Sequence, residues 1–566
     1  MHHYTTLKYT LCSVLTGAAL LLSSCAQASA TQTQSLSSSS ESIPVTVIDT
    51  STLFSQQDLD GSYDASQAVA ILLQGDTAAC DDPSVIMDGS TVIITAEGVY
   101  ILSGTLYDGQ IQINAPDSAQ VQLVLNGVDI TSADSSAIYA LEADHVFITL
   151  ADGSENSLSN GGAYLPIDEN NLDSVIFSKT DLTLNGSGSL AIYAEAGHGI
   201  VSKDDLIIAG GTYTIEAVSH GMTGKDTFCI ADGTFTITSG KDGLHAENTE
   251  DSTLGSLYIT GGTFTIAAQG DAVSASGALQ IDAGTFDLLT GGGSAAVSMS
   301  YDTAPASDRS RSPGSGSDRR EAPSGLEEAP PDSAAQTNAE TTESDSTSPE
   351  DSETTDSVSQ KGLKSDGTLV ILDGSFTIDT ADDALHAGGD LAIASGEFTL
   401  SSGDDAIHSD AAITILDGTY TIPVCYEGIE GCSITIWDGT FSITSYDDGL
   451  NAAGGTTGED ADPQIFLTIN GGTLTVVSSG DCIDSNGDLT ISGGTLDLTC
   501  NGAADTALDV DGAYTHTGGS VTTNDGSEEN PGSMGGRGGS PGGGRMGDSS
   551  SPDRSAQKAP DLQTGS

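Results

Sequence analysis

Six-residue stretches with alternating apolar and polar positions recur down the chain: "TYTIEA" from Thr212, "TFTITS" from Thr234, "TFTIAA" from Thr263, "SFTIDT" from Ser375, "TYTIPV" from Thr419 and "TLTVVS" from Thr473. Period-two alternation is the signature of a strand with one face inward. Each stretch is followed by a turn containing Gly or Asp and then by shorter apolar runs such as "LAIASG" or "LTISGG". No helical period occurs anywhere. The pattern predicts an all-β chain built from coils of two or three short strands joined by turns, a parallel β-helix.

The repeats can be counted from the residue after a glycine: Thr212, Thr234, Thr263, Thr285, then Ser375, Glu397, Thr419, Thr440, Thr473 and Thr495. Most steps are 21 or 22 residues, and two longer ones carry the insertions "ENTEDSTLG" and "AGGTTGEDADPQ" at the same phase. The tenth position reads Met222, Leu244, Val273, Leu385, Ile407, Ile429, Leu450, Ile483 and Leu508. This is the inward row that makes stacked coils stable together and a lone coil unstable.

Composition sets the limits of this body. The segment from about 303 to 360, rich in Ser, Pro, Asp and Glu, cannot bury a core and is expected to be a disordered loop. The coil phase resumes after it, so residues 43 to 522 are expected to form one solenoid, with a Gly-rich disordered tail from 523 to 566. At the other end a lysine, an apolar run from Leu11 to Leu22 and small residues up to Cys25 have the layout of an export signal. Leu22-Ser23-Ser24-Cys25 resembles a bacterial lipobox, which implies a signal peptide over 1 to 24, acylation of Cys25 and a tether over 25 to 42. The protein is then extracytoplasmic, lipid-anchored and at the cell surface. Six cysteines beyond Cys25 are too sparse for a disulfide scaffold.

Charge narrows the partners. With 81 acidic against 15 basic residues the chain carries a formal charge of -66. That repels phosphate and anionic head groups, so nucleic acid is excluded as a partner and membrane contact is left to the lipid anchor. Cations are the natural partners. The eighth position of the repeat reads His198, His220, Asp242, Asp271, Asp383, Asp405, Glu427, Asp448 and Asp481. The eleventh reads Thr223, His245, Ser274, His386, His408, Glu430, Asn451, Asp484 and Asp509. With coils about 4.8 Å apart, like charges in such a column repel unless a cation lies among them. Calcium suits it, because it accepts six to eight oxygens in loose geometry. The ligand set expected from this pattern is Asp242, Asp271, Asp382, Asp383, Asp404, Asp405, Glu427, Asp447, Asp448 and Asp481. Isolated aspartates could instead form Asx-turns facing water.

The stretch "VIITAEGVYILSGTLYDGQIQINA", the continuation through "VQLVLNGVDITSADSSAIYALEADHVFITLADGSENSL", and the "DDGLN" and "DDALHA" turns resemble a bacterial family of carbohydrate-binding domain proteins. The resemblance implies a right-handed parallel β-helix with bound calcium, like the pectate lyases in architecture. It also implies an acidic, polygalacturonate-like polysaccharide as ligand. The reading is a monomeric binder, not an enzyme. A metal-assisted lyase would need a basic residue as proton acceptor. All seven arginines lie in the segments expected to be disordered, leaving Lys241 or Lys364 for that role. A calcium-stiffened surface adhesin is the third reading.

Overall fold

The computed structural model describes residues 47–167, 170–299, 359–454 and 465–531, together with the backbone of a short hairpin, Leu36–Ser38 with Glu41–Ile43. From Val69–Gly75 onward the strands form a single stack in which each coil pairs in parallel with the next. The first strands of the repeats open with alternating exposed and buried positions, and in Thr234–Ser239 the alternation runs the whole length. Their second residues form an internal column of rings: Tyr213, Phe235, Phe264, Phe286, Phe376, Phe398, Tyr420 and Phe441. The ring centroids lie 4.5 to 5.3 Å apart and the rings are nearly parallel. The glycine before each repeat makes room for this column. Gly284 has φ 143°, and a Cβ there would lie 2.8 Å from the Phe286 ring.

The tenth-position row is buried throughout and paired in register, from Met222 with Leu244 to Ile483 with Leu508. Register also carries across the long interruption. Val273 pairs with Leu363, Leu279 with Leu369 and Thr285 with Ser375, and Phe286 stacks on Phe376 at 4.8 Å. The strand Thr285–Thr290 and the strands Leu363–Ser365 and Leu369–Ile371 therefore belong to one coil. Most of the segment expected to be disordered lies outside the described residues, as do Cys25 and the signal peptide.

Three boundaries differ from the expectation. Residues 47–62 do not start the solenoid but lie along its outside. Ile48 exchanges hydrogen bonds with the Gln280 side chain, and Val47 packs on Val370 and Ala392. The one-turn helix Gln56–Leu59 then docks on Thr183 and Asn185. This strap covers outward positions of the third strands, which would otherwise face solvent. At the insertion, Ser359 and Gln360 are already bound to the body, through Asp271 Oδ1 and Thr290 Oγ1 respectively. At the C-terminus, residues 524–531 stay on the last coil, where Asp525 accepts the Ala507 N–H at 2.9 Å and Ser527 Oγ accepts the Leu508 N–H at 3.1 Å. They supply acceptors to the edge of the last coil among the described residues.

Candidate functional site

The column lies in the turn between the first and second strand of each coil, and two hydrogen-bond ladders build it. The backbone carbonyl of each eighth-position residue accepts the N–H of the ninth residue in the preceding coil. Examples are Gly362 N to Asp383 O at 3.0 Å, Gly428 N to Asp448 O at 3.0 Å and Gly449 N to Asp481 O at 2.8 Å. In the opposite direction, one side-chain oxygen accepts the N–H of the column residue in the following coil. Asp242 receives Asp271 N at 2.8 Å, Asp271 receives Lys361 N at 2.7 Å, Asp383 receives Asp405 N at 3.1 Å, and Asp448 receives Asp481 N at 2.7 Å. Asp481 receives Thr506 N at 2.5 Å. A short acceptor standing in for strand pairing explains why the position keeps returning to aspartate.

The second carboxylate oxygen meets different partners along the column. Asp242 Oδ2 lies 2.7 Å from His245 Nδ1 and 3.3 Å from His220 Nδ1, and the two imidazoles stack at 4.2 Å. Asp383 Oδ2 and Asp405 Oδ2 each lie 2.9 Å from the histidine three residues on, His386 and His408. His408 Nδ1 also lies 3.0 Å from Glu430 Oε2. Burial disfavours the charged imidazole of His408, but Asp405, Asp410 and Glu430 outweigh it and hold the group well above its ordinary range.

Lysine occupies the column where the insertion interrupts it. Lys361 takes the place of Asp383 one coil earlier, and its Nζ lies 2.8 Å from both Asp382 Oδ1 and Asp383 Oδ2. Burial alone would raise the Asp383 carboxyl, yet the Lys361 ammonium and His386 hold it well below the usual carboxylate range. Lys364 Nζ stands 3.4 Å from Asp366 and 3.9 Å from Asp271. Lys361 is absent from the expected ligand set, which names carboxylates alone, although the phase that resumes after the insertion puts it at the column position three residues before Lys364.

Beyond His408 the chemistry changes. The column continues as Glu427, Asp448 and Asp481, and the eleventh position as Glu430, Asn451, Asp484 and Asp509, in register. No Lys, Arg or His occurs between His408 and His516. Glu427 is held well above the carboxylate range by burial and by Asp405, Glu430 and Asp448, and Asp448 by burial and by Asp484, Asp481 and Asp447. Burial and the charges of Asp383 and Asp382 push Asp404 up to about 7.

Of the expected ligands, Asp382, Asp383 and Asp404 come together, with an oxygen from each within 4.8 Å of the others. Asp405 joins His408 and Glu430, Asp242 joins His220 and His245, and Asp481 joins Asp484 and Asp509 at the same spacing. Asp271 Oδ1 is directed instead to Ser359 and the Lys361 N–H. Glu430, Asp484 and Asp509 belong to the site although only their place in the eleventh row marks them in the sequence.

The chain matches the family model described as carbohydrate-binding domain-containing protein over residues 88–406 and 402–534. A protein of that description from Acetivibrio thermocellus is 40% identical over 128 residues, which are 22% of this chain and 45% of the relative. The match thus spans less than half of that relative's length. A solved structure described as a polysaccharide lyase-like protein from C. thermocellum, in a gadolinium derivative, has 35% sequence identity to this chain. It covers 40% of this chain and 92% of its own, with a TM-score of 0.39.

Proposed function

Because the chain belongs to the carbohydrate-binding domain-containing protein family, we propose that it binds an acidic polysaccharide of the polygalacturonate kind through calcium held in the aspartate column. The observation that carries this reading is the run of coils from Glu427 to Asp509. Buried carboxylates there repel one another, and the chain supplies no basic residue between His408 and His516. A divalent cation would relieve that repulsion, and carboxylates from neighbouring coils offer the six to eight oxygens that calcium accepts. An ion with an open coordination position would also bridge a strongly anionic protein to a uronate carboxylate.

Binding rather than lyase chemistry is favoured by Lys364. Lys364, one of the two candidate bases, stands beside Asp271 and Asp366 in ion pairs. The expected lipid anchor at Cys25 would hold the solenoid at the outer surface, where such polysaccharides are met. The test is a pull-down on insoluble polygalacturonate in calcium and in EDTA. Retention in calcium and release in EDTA are expected. Equal retention in both would overturn the bridging ion, and release of unsaturated uronide product would replace the binder by a lyase.

A further inference from the structure

Resting on the calcium reading of the column, we propose that Lys361 is a covalently attached counter-ion that keeps divalent cations out of the Asp271, Asp382 and Asp383 stretch. Ion uptake is then confined to the coils beyond His408, where Asn451 supplies an amide oxygen to the site. The column is one continuous structure in its backbone hydrogen bonds and two different structures in its electrostatics.

The ammonium of Lys361 already sits where an ion would. It lies 2.8 Å from one oxygen of Asp382 and 2.8 Å from one oxygen of Asp383, and its side chain is 14% exposed. Its backbone N–H is held by Asp271 Oδ1 at 2.7 Å, so the residue enters the column at a fixed height. Calcium needs those same carboxylate oxygens at about 2.3 to 2.6 Å and cannot share them with a buried ammonium of like charge. Lys364, on the neighbouring row, adds a second positive charge 3.9 Å from Asp271.

The opposite holds beyond His408. Asn451 occupies the eleventh row between Glu430 and Asp484 and is 8% exposed. Its Nδ2 donates to Glu427 Oε2 at 2.9 Å, and its Oδ1 is buried with no hydrogen-bond donor among the described residues. A buried acceptor left without a donor is costly, and here both neighbours on its row are carboxylates. A hard cation satisfies an amide oxygen and the carboxylates at once.

Calcium titration of the purified protein by isothermal calorimetry tests both halves, with thermal melts in calcium and in EDTA alongside. Lys361→Met and Lys361→Gln are each expected to bind one calcium ion per chain more than the parent, and to gain a larger calcium-induced rise in Tm. Asn451→Ala is expected to lose one ion or to bind it at least tenfold more weakly. Lysine variants with the parent's stoichiometry would overturn the role of Lys361 while leaving the calcium reading in place. An Asn451→Ala protein with unchanged stoichiometry and affinity would overturn the role of Asn451. A parent that binds no calcium overturns the calcium reading and Asn451's part in it; the part of Lys361 is then decided by whether its variants acquire an ion. Lys361→Gln keeps a hydrogen-bond donor at the position, so the test stands if Lys361→Met fails to fold.

Discussion

Asp448 accepts, through Oδ1, the backbone N–H of Asp481 one coil further on, at 2.7 Å. One carboxylate thereby serves two ends that can be separated by mutation. It closes the coil edge, and it adds negative charge to a place that already holds Asp447, Asp481 and Asp484.

Asp448→Ala removes the acceptor and leaves a buried N–H unsatisfied, so it is expected to cost about 1–3 kcal/mol in EDTA. Asp448→Asn keeps an acceptor and removes the charge, so in EDTA it should be as stable as the parent or more so. Asp383→Asn should behave in the opposite way, losing on the order of 3 kcal/mol, because the buried Lys361 ammonium then keeps only Asp382 of its two carboxylate partners. Urea unfolding of the three variants in EDTA checks this. Asparagine substitutions that shift stability in the same direction at both positions would mean that the column is not divided.

Stability should also fall on the alkaline side through His245. Burial works against its charged form, but Asp242 and Glu247 outweigh it and lift the imidazole to about 9 from an ordinary 6.5. A raised folded-state pKa means that the folded chain keeps a proton the unfolded chain releases. The contribution is complete below about pH 6.5 and is lost as pH rises through about 9. His245→Gln should remove a pH-dependent difference on the order of 3 kcal/mol over that window. The measurement is urea unfolding of parent and variant at pH 6 and pH 9.5 in EDTA; a constant difference at both pH values would contradict it.

What can be read from the sequence is what repeats. Leu244, Leu385 and Ile483 share a phase, and so do Asp242, Asp405 and Asp448, because a solenoid puts one period at one height and stacks it. The ring column from Tyr213 to Phe441 is equally open to reading, since it is the second residue of each of those repeats. Lys361 is legible in the same way, since the phase that resumes after the insertion puts it at the column position three residues before Lys364, and the pairing of Val273 with Leu363 agrees; what spacing does not carry is that its ammonium reaches both Asp382 and Asp383. The strap is hidden: residues 47–62 have no period, and their position depends on single contacts such as Ile48 with Gln280. The division of labour within each aspartate, one oxygen to a backbone N–H and one to a neighbouring side chain, is a matter of geometry that spacing alone does not carry.

Deleting residues 300–358 and joining the flanks with a short Gly/Ser linker should leave one cooperative unfolding transition. Strand pairing continues across the gap at Val273 with Leu363, Leu279 with Leu369 and Thr285 with Ser375, so neither half ends at the insertion. Closing a shorter loop costs less entropy, and the stability should be equal or slightly higher. Calorimetry of the spliced protein decides it, and two separate transitions would show that the halves fold independently.

The strap should open without the solenoid melting, and Cys229 reports on it. Phe228 and Ile230 point into the core, so Cys229 between them points outward, yet it is only 3% exposed. The strap runs over this face between its contacts at Gln280 and Thr183, and burial, followed by Asp205 and Asp58, holds the Cys229 thiol well above its ordinary range. Asp58 fastens the near end. Its Oδ1 accepts from Thr183 Oγ1 at 2.7 Å, its Oδ2 accepts from Ser55 N at 2.8 Å, and its carbonyl accepts from Asn185 Nδ2 at 3.1 Å. Asp58→Ala loses the two side-chain bonds but touches none of the inward rows. The main unfolding transition should therefore change little, while local opening becomes easier; a loss of about 1.4 kcal/mol in strap docking raises Cys229 labelling about tenfold. Maleimide labelling followed by mass spectrometry separates Cys229 from the partly exposed Cys80. Asp58→Asn, which keeps an acceptor oxygen within reach of Thr183, should label close to the parental rate. If Cys229 stays protected in Asp58→Ala, the helix Gln56–Leu59 is not what holds the strap down, and the anchor is at Val47 and Ile48 instead.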